Sequence, residues 1–188
     1  MSQMTKKSFA ASLKKMLAQK TLEKIKVIDI TEDCGVNRQT FYYHFKDIYD
    51  LLDWIYTDEA TRALDGKNTY DTWQQGFEQV FDYILENKSF VLNTFNSVSR
   101  EHLERYLYNE AQLLLMGVVE EKAKDMAVRE KDKEFIADFY KYGFVGLVLE
   151  WIKKGMKEDP KDIIRRLNTL ICGNIEEALE RYRTDKWN

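Results

Sequence analysis

A single proline and eight glycines in 188 residues leave little material for the turns of a many-stranded protein. Long helices joined by short loops are favoured instead, and the fold class read from the sequence is all-α. No apolar run approaches the roughly 20 residues that a spanning helix needs. The first residues, MSQMTKKSFAASLKK, lack the apolar centre of a signal peptide, so the expectation is a cytoplasmic protein without a membrane partner. There are two cysteines, Cys34 and Cys172, far apart and inside helical patterns, which reads as two small thiols and no disulfide. There are also only two histidines, His44 and His102, with no acid, base or nucleophile at a matching spacing. No metal-ligand cluster or phosphate-cradling glycine loop is visible. Glu120 and Glu121, like Glu176 and Glu177, are sequence neighbours that diverge around a helix. An enzyme, a metal site or a cofactor is therefore not expected.

What the chain does have is 44% apolar and 32% charged residues, the mixture of a globular protein with a true core. Its net charge of −3 averages an uneven distribution. Residues 1 to 26 hold Lys6, Lys7, Lys14, Lys15, Lys20, Lys24 and Lys26 against Glu23 alone, which gives +6 at one end and leaves −9 for the rest. Attraction to phosphate is screened within about 8 Å at physiological salt, so a basic head on an acidic body can still bind DNA. A solvated helix face produces the same pattern.

Phe9, Leu13, Met16 and Leu17 recur at helical steps and predict a first helix over Ser8 to Lys20. A second helix is expected over Val27 to Cys34, ended by Gly35 in the left-handed conformation. Asn37 then caps a third helix through Arg38 to His44, and Asp47 caps a fourth whose inward stripe is Leu51, Leu52 and Ile55. The polar stretch Asp65 to Asp71 marks a joint, which divides the chain into a head over 1–64 and a body over 65–188. In the body, Trp73, Phe77, Val80, Phe81 and Ile84 share one helix face, and a break at Asn87 to Ser89 precedes a short helix with Phe90 and Phe95. A long helix from Ser99 through Leu103, Tyr106, Leu107, Leu113, Leu114 and Val118 is interrupted by Arg129 to Lys133. From Phe135 to Ile152 only Asp138, Lys141 and Glu150 are charged, so that helix must be covered on several sides. Gly143 and Gly146 each cost about 1 kcal/mol relative to alanine, which close approach of another helix could offset. Pro160, after Asp159, opens a last helix carrying Ile163, Leu167, Leu170, Ile171, Ile175 and Leu179, for about nine helices in all.

Gly35, Asn37 and the helix they release have the cap-to-cap spacing of a helix-turn-helix. Phe41 and Phe45, four apart, fall on the inner face, while Arg38, Gln39, Tyr42 and Tyr43 start from exposed turns. Arg38 suits a bidentate pair with guanine and Gln39 one with adenine. Thr40, Tyr42, Tyr43, His44 and Lys46 suit phosphates. The segment GVNRQTFYYHFKDIYDLL resembles the tetracycline-repressor (TetR) family in its glycine, capping residue, aromatic pair and leucines, over about the first 56 residues. That resemblance implies that Thr40, Tyr42, His44 and Lys46 hold the DNA backbone while Arg38 and Gln39 read bases. Two positions depart from it: Ile48 stands where the family has a lysine, and Lys26 where it has a Ser or Thr cap.

A second segment, YGFVGLVLEWIKKGMKEDPKDI, is similar to the C-terminal domain of a TetR subgroup that includes activators of dihydroxyacetone kinase genes. It implies a homodimer formed through the last two helices, with Phe144, Leu147, Trp151, Leu167 and Ile171 at the interface. In that subgroup the signal can come from a protein partner in place of a small-molecule effector. Trp73, Phe77, Phe81, Phe90, Phe95, Tyr106, Phe139 and Tyr142 could line an effector cavity or simply form core. The functional expectation is thus a sequence-specific regulator that binds a palindromic double-stranded operator as a homodimer. The alternative is a helical interaction or ligand-binding module with weak or lost DNA binding, which Ile48 and the acidic total would suit.

Overall fold

The computed structural model describes residues 2–63, 69, 72–97, 99–171 and 173–185, and every element among them is helical. In chain order these are α1 (Ser2–Leu17), a single 3-10 turn (Leu22–Lys24), α2 (Val27–Asp33), α3 (Arg38–His44), α4 (Ile48–Ala63) and α5 (Trp73–Glu86). There follow α6 (Lys88–Phe95), α7 (Arg100–Lys122), α8 (Glu130–Lys153), α9 (Pro160–Ile171) and α10 (Asn174–Tyr182). Most of the joint read from the sequence, Asp65 to Asn68 with Tyr70 and Asp71, lies outside the described residues, as does Cys172. Cys34 is a free thiol. No helix among the described residues is long and apolar enough to cross a membrane.

Local chemistry sets most of the helix ends. Asp47 accepts the Asp50 N–H at 2.8 Å while Asp50 accepts the Lys46 N–H at 2.8 Å, a reciprocal cap that starts α4. Arg129 to Lys133, expected as an interruption, instead begins α8: Glu130 and Asp132 sit at the positive end of the helix dipole, and Asp132 takes the Arg129 guanidinium at 2.7 Å. The C-terminal helix, expected as one run, is broken at Gly173, which adopts φ 81° and separates α9 from α10.

The chain forms two compact units, residues 1–61 with 86–106, and residues 62–85 with 107–188. Residues 86–106 thus group with the N-terminal segment. In the first unit, Phe9 of α1 meets Phe41 of α3 at 5.3 Å between ring centroids, with Leu13, Ile30, Leu51 and Leu52 fully buried around them. In the second, Phe77 of α5 stacks on Phe144 of α8 at 3.7 Å, and Phe81 turns its edge to Phe144 and Trp151. Burying each of these rings contributes about 2 to 3 kcal/mol, so the aromatic pairs dominate both cores.

Candidate nucleic-acid interface

The turn before α3 is closed by backbone chemistry. Gly35 has φ 65°, which an L side chain resists, and its N–H bonds the Glu32 carbonyl at 3.1 Å while the Val36 N–H returns to Thr31 at 3.0 Å. Asn37 then supplies the N-cap: its Oδ1 accepts the Thr40 N–H at 2.9 Å and the Thr40 hydroxyl at 3.1 Å. Phe41 is fully buried and Phe45 nearly so, which anchors α3 by one face. The opposite face carries Arg38, Gln39, Tyr42, Tyr43 and, just beyond the helix, Lys46, all exposed. The two tyrosines are 57% and 83% exposed, far above what a core aromatic shows, so neither belongs to the core. Thr40 and His44 are half-buried. Thr40 gives its hydroxyl proton to Asn37, and His44 lays its ring against Phe9 and Tyr43.

The basic end is less free than its composition suggested. Lys15 pairs with Asp33 at 2.5 Å and Lys20 with Asp29 at 3.1 Å, and Lys14 reaches Asn87 at 2.9 Å. Asp29 lies below the usual carboxylate range because it accepts the Lys26 backbone N–H and then the Lys20 ammonium. The Lys15 hydrogen bond, helped by Ser12, lowers Asp33 in the same way. Asp29 also settles how α2 starts without a Ser or Thr at position 26: the carboxylate three residues on reaches back to the Lys26 N–H at 2.9 Å. Lys7, Lys24 and Lys26 remain exposed. Lys24 and Lys26 precede the first residue of α2, where a helix-turn-helix crosses the phosphate backbone, and the sequence reading did not single them out as contacts.

The five residues expected at a dimer interface divide sharply. Leu147 is 46% exposed, while Phe144, Trp151, Leu167 and Ile171 are buried within their own chain. Phe144 is covered by Phe77 and Phe81. Trp151 and Leu167 do reach the wall of a groove of about 630 Å³, lined also by Leu147, Ile163 and Leu170 and rimmed by Glu150, Lys154 and Arg166. The exposed face of α8 is the stripe Phe135, Phe139, Tyr142, Gly143, Gly146 and Leu147, which shares only Leu147 with the expected five, and Leu170 of α9 is 64% exposed. A Cβ added to Gly143 or Gly146 would meet nothing within 4 Å, so nothing in this chain requires glycine there. Among the aromatics that could have lined a cavity, Trp73, Phe77, Phe81, Phe90, Phe95 and Tyr106 are buried, and Phe139 and Tyr142 are exposed. Glu110 of α7 went unnoticed in the sequence. It is 2% exposed, its Oε2 has no hydrogen-bond partner, and burial pushes its carboxyl up to about 7. No group of three or more His, Cys, Asp or Glu among the described residues is placed to hold a metal ion.

Comparison with known proteins identifies the family and the fold. The TetR-type family described as "Transcriptional regulator C-terminal region" matches residues 71–173. The chain is 26% identical over 153 residues to the HTH-type dhaKLM operon transcriptional activator DhaS of Lactococcus lactis subsp. lactis (strain IL1403), covering 80% of this chain and 81% of that protein. A solved structure of the dihydroxyacetone kinase operon activator DhaS superposes with a TM-score of 0.73 at 22% identity, over 96% of this chain and 98% of the other. The structure of native NalD, the secondary repressor of the MexAB-OprM multidrug efflux pump in Pseudomonas aeruginosa, gives 0.51 at 14% identity over the whole of both chains. These two structural likenesses speak for the fold.

Proposed function

This chain belongs to the TetR family of transcriptional regulators, whose C-terminal region spans residues 71–173, and on that footing we propose that it acts as a homodimer on a palindromic operator. It is a DNA-binding regulator, and the observation that carries the operator reading is the outward face of α3. Arg38, Gln39, Tyr42 and Tyr43 stand exposed on a helix fixed from behind by Phe41 and Phe45. In this reading the head over residues 1–64 enters the major groove. Arg38 donates two hydrogen bonds to a guanine edge and Gln39 pairs with an adjacent adenine. Tyr42, Tyr43 and Lys46 hold phosphates, joined by Thr40 and His44 from the rim of the same helix and by Lys24 and Lys26 at the start of α2.

The body over residues 65–188 supplies the surface on which the second copy docks. The outward stripe of α8 is apolar along its length, and Gly143 and Gly146 at its centre leave room for a partner helix to cross closely. A second copy laid on this stripe and on Leu147 and Leu170 would cover the exposed apolar side chains and offset the helix cost of the glycines. The recognition helices of the pair then read two half-sites at fixed spacing. A small-molecule effector or a protein partner acting on the body changes that spacing, and the site of action is the cytoplasm. Whether occupancy raises or lowers transcription depends on where the operator lies.

A footprint on the DNA flanking its own gene tests the reading. Protection over a palindrome is expected, with Arg38→Ala and Tyr42→Ala each abolishing it at the concentration that saturates the parent. Loss of a bidentate guanine contact alone amounts to about 1 to 3 kcal/mol, or roughly five- to 150-fold in affinity. Protection that both variants retain would assign DNA contact to another surface.

A further inference from the structure

The recognition helix is tied to α4 at two places. The Lys46 N–H is held by Asp50 of α4, and Phe45, which ends α3, packs on Trp54 at 5.9 Å between ring centroids. Where α4 points therefore decides where α3 points. Next to Trp54 stands Asp53, and it faces the first turns of α7, which belong to the same compact unit. Its Oδ1 takes a short hydrogen bond from His102 Nδ1 and a second from Arg105 Nη2 at 2.9 Å. The ring of Tyr49, one turn earlier on α4, lies parallel to the His102 imidazole, 7° from coplanar at 6.2 Å. A carboxylate oxygen accepts and a guanidinium donates, so in this contact the His102 ring presents Nδ1–H to Asp53, and Arg105 donates to Asp53 while flanking the ring.

We propose that Asp53, held by Arg105 and by His102, whose ring lies parallel to that of Tyr49, is the pin that fixes the orientation of α4 and so positions the recognition helix for its operator. These are positioning residues, since none of them reaches the DNA-facing side of α3. The His102 side chain is only 11% exposed, so its ring has little freedom, whereas the Asp53 and Arg105 side chains are 39% and 56% exposed. Ion pairs that exposed add little to stability, which leaves direction as their contribution. The apolar contacts that α4 makes in the same unit, Tyr56 on Phe90 and on Tyr106, tolerate sliding. A hydrogen bond weakens steeply as its angle opens, so the Asp53 contacts resist rotation in a way that ring packing does not.

The inference rests on the homodimeric operator reading, and its test keeps the two separable. Duplexes recovered from random sequence with the purified protein would be remade with the half-sites one base pair closer or further apart. Binding of the parent, Asp53→Ala, Arg105→Ala and His102→Phe would then be measured on each, with sedimentation and a thermal melt run in parallel. The parent is expected to prefer one spacing. Asp53→Ala and Arg105→Ala are expected to weaken that discrimination between spacings about fivefold or more while remaining folded dimers. His102→Phe, which keeps the ring against Tyr49 but cannot donate to Asp53, should weaken it too. A purely structural role would lower the melting temperature and leave the spacing preference untouched, and that outcome overturns the proposal. Arg105 is exposed enough that its variant will fold even if Asp53→Ala does not. A parent protein that binds no duplex would refute the operator reading, and the pin with it.

Discussion

Replacing Glu110 with glutamine is expected to shift stability in the variant's favour progressively as pH rises, by about 2 kcal/mol between pH 5 and pH 8. The buried carboxyl has a folded pKa of about 7 against an ordinary value of 4.5. Below 4.5 both the folded and the unfolded states hold the proton, and the charge contributes nothing. Between 4.5 and 7 the unfolded chain releases the proton and the folded chain keeps it, so stability falls by about 1.4 kcal/mol per pH unit. Above 7 the folded state carries a buried carboxylate whose Oε2 no donor meets, and the full loss is in place. Denaturant melts of parent and variant at pH 5 and pH 8 check this. Their stability difference should widen by about 2 kcal/mol between the two, and a difference that does not change with pH would mean that Glu110 is solvated in solution. The pH dependence isolates the charge from any constant effect of the amide.

The double variant Phe139→Glu with Leu147→Glu is expected to sediment as a monomer and to bind the operator at least a hundredfold more weakly. Four carboxylates would face each other across a two-fold seam, and without the seam each head engages one half-site alone. Joining two heads typically multiplies affinity by about 10² to 10⁴, which is the amount at stake. Phe139 is 67% exposed and Leu147 46% exposed in the single chain, so the fold itself should not suffer. A circular dichroism spectrum with unchanged helix content would confirm that. A double variant that stays dimeric would move the interface off α8. The equivalent change at Phe144 would be uninformative, because that ring is buried against Phe77 and its loss would unfold the second unit.

What could be read before the structure was local chemistry. Gly35, Asn37 and Asp47 announce a turn and two helix starts because capping is settled within a few residues: Gly35 turns at positive φ, and the Asn37 and Asp47 side chains each accept a backbone N–H. The inner and outer faces of α3 were equally legible, since Phe41 and Phe45 differ in chemistry from Arg38 and Gln39. On α8 that contrast vanishes. Phe139 and Phe144 are the same residue type on a helix that is apolar nearly all round, and only the position of Phe77 and Phe81 decides which ring turns inward. The expected interface therefore included Phe144, Trp151, Leu167 and Ile171, whose side chains the chain buries itself. Leu113 deceived for the opposite reason: it fits the apolar stripe of α7 by spacing and is 60% exposed. Glu110 could have been found, because it falls three residues after Leu107 and four before Leu114, both fully buried. The Asp53 and His102 contact could not, since 49 residues separate its partners and neither position is marked by pattern.

If α3 and the start of α2 grip the backbone of duplex DNA, affinity must fall steeply as salt rises. Each phosphate neutralised by lysine or arginine releases a condensed counterion, so log K should fall linearly with log salt at about −0.9 per contact. A steep negative slope is expected for the parent, and Lys46→Ala should flatten it by roughly two, one contact for each subunit. A flat line for the parent, with binding indifferent to salt, would contradict the account and leave a helical module that meets its partners by other means.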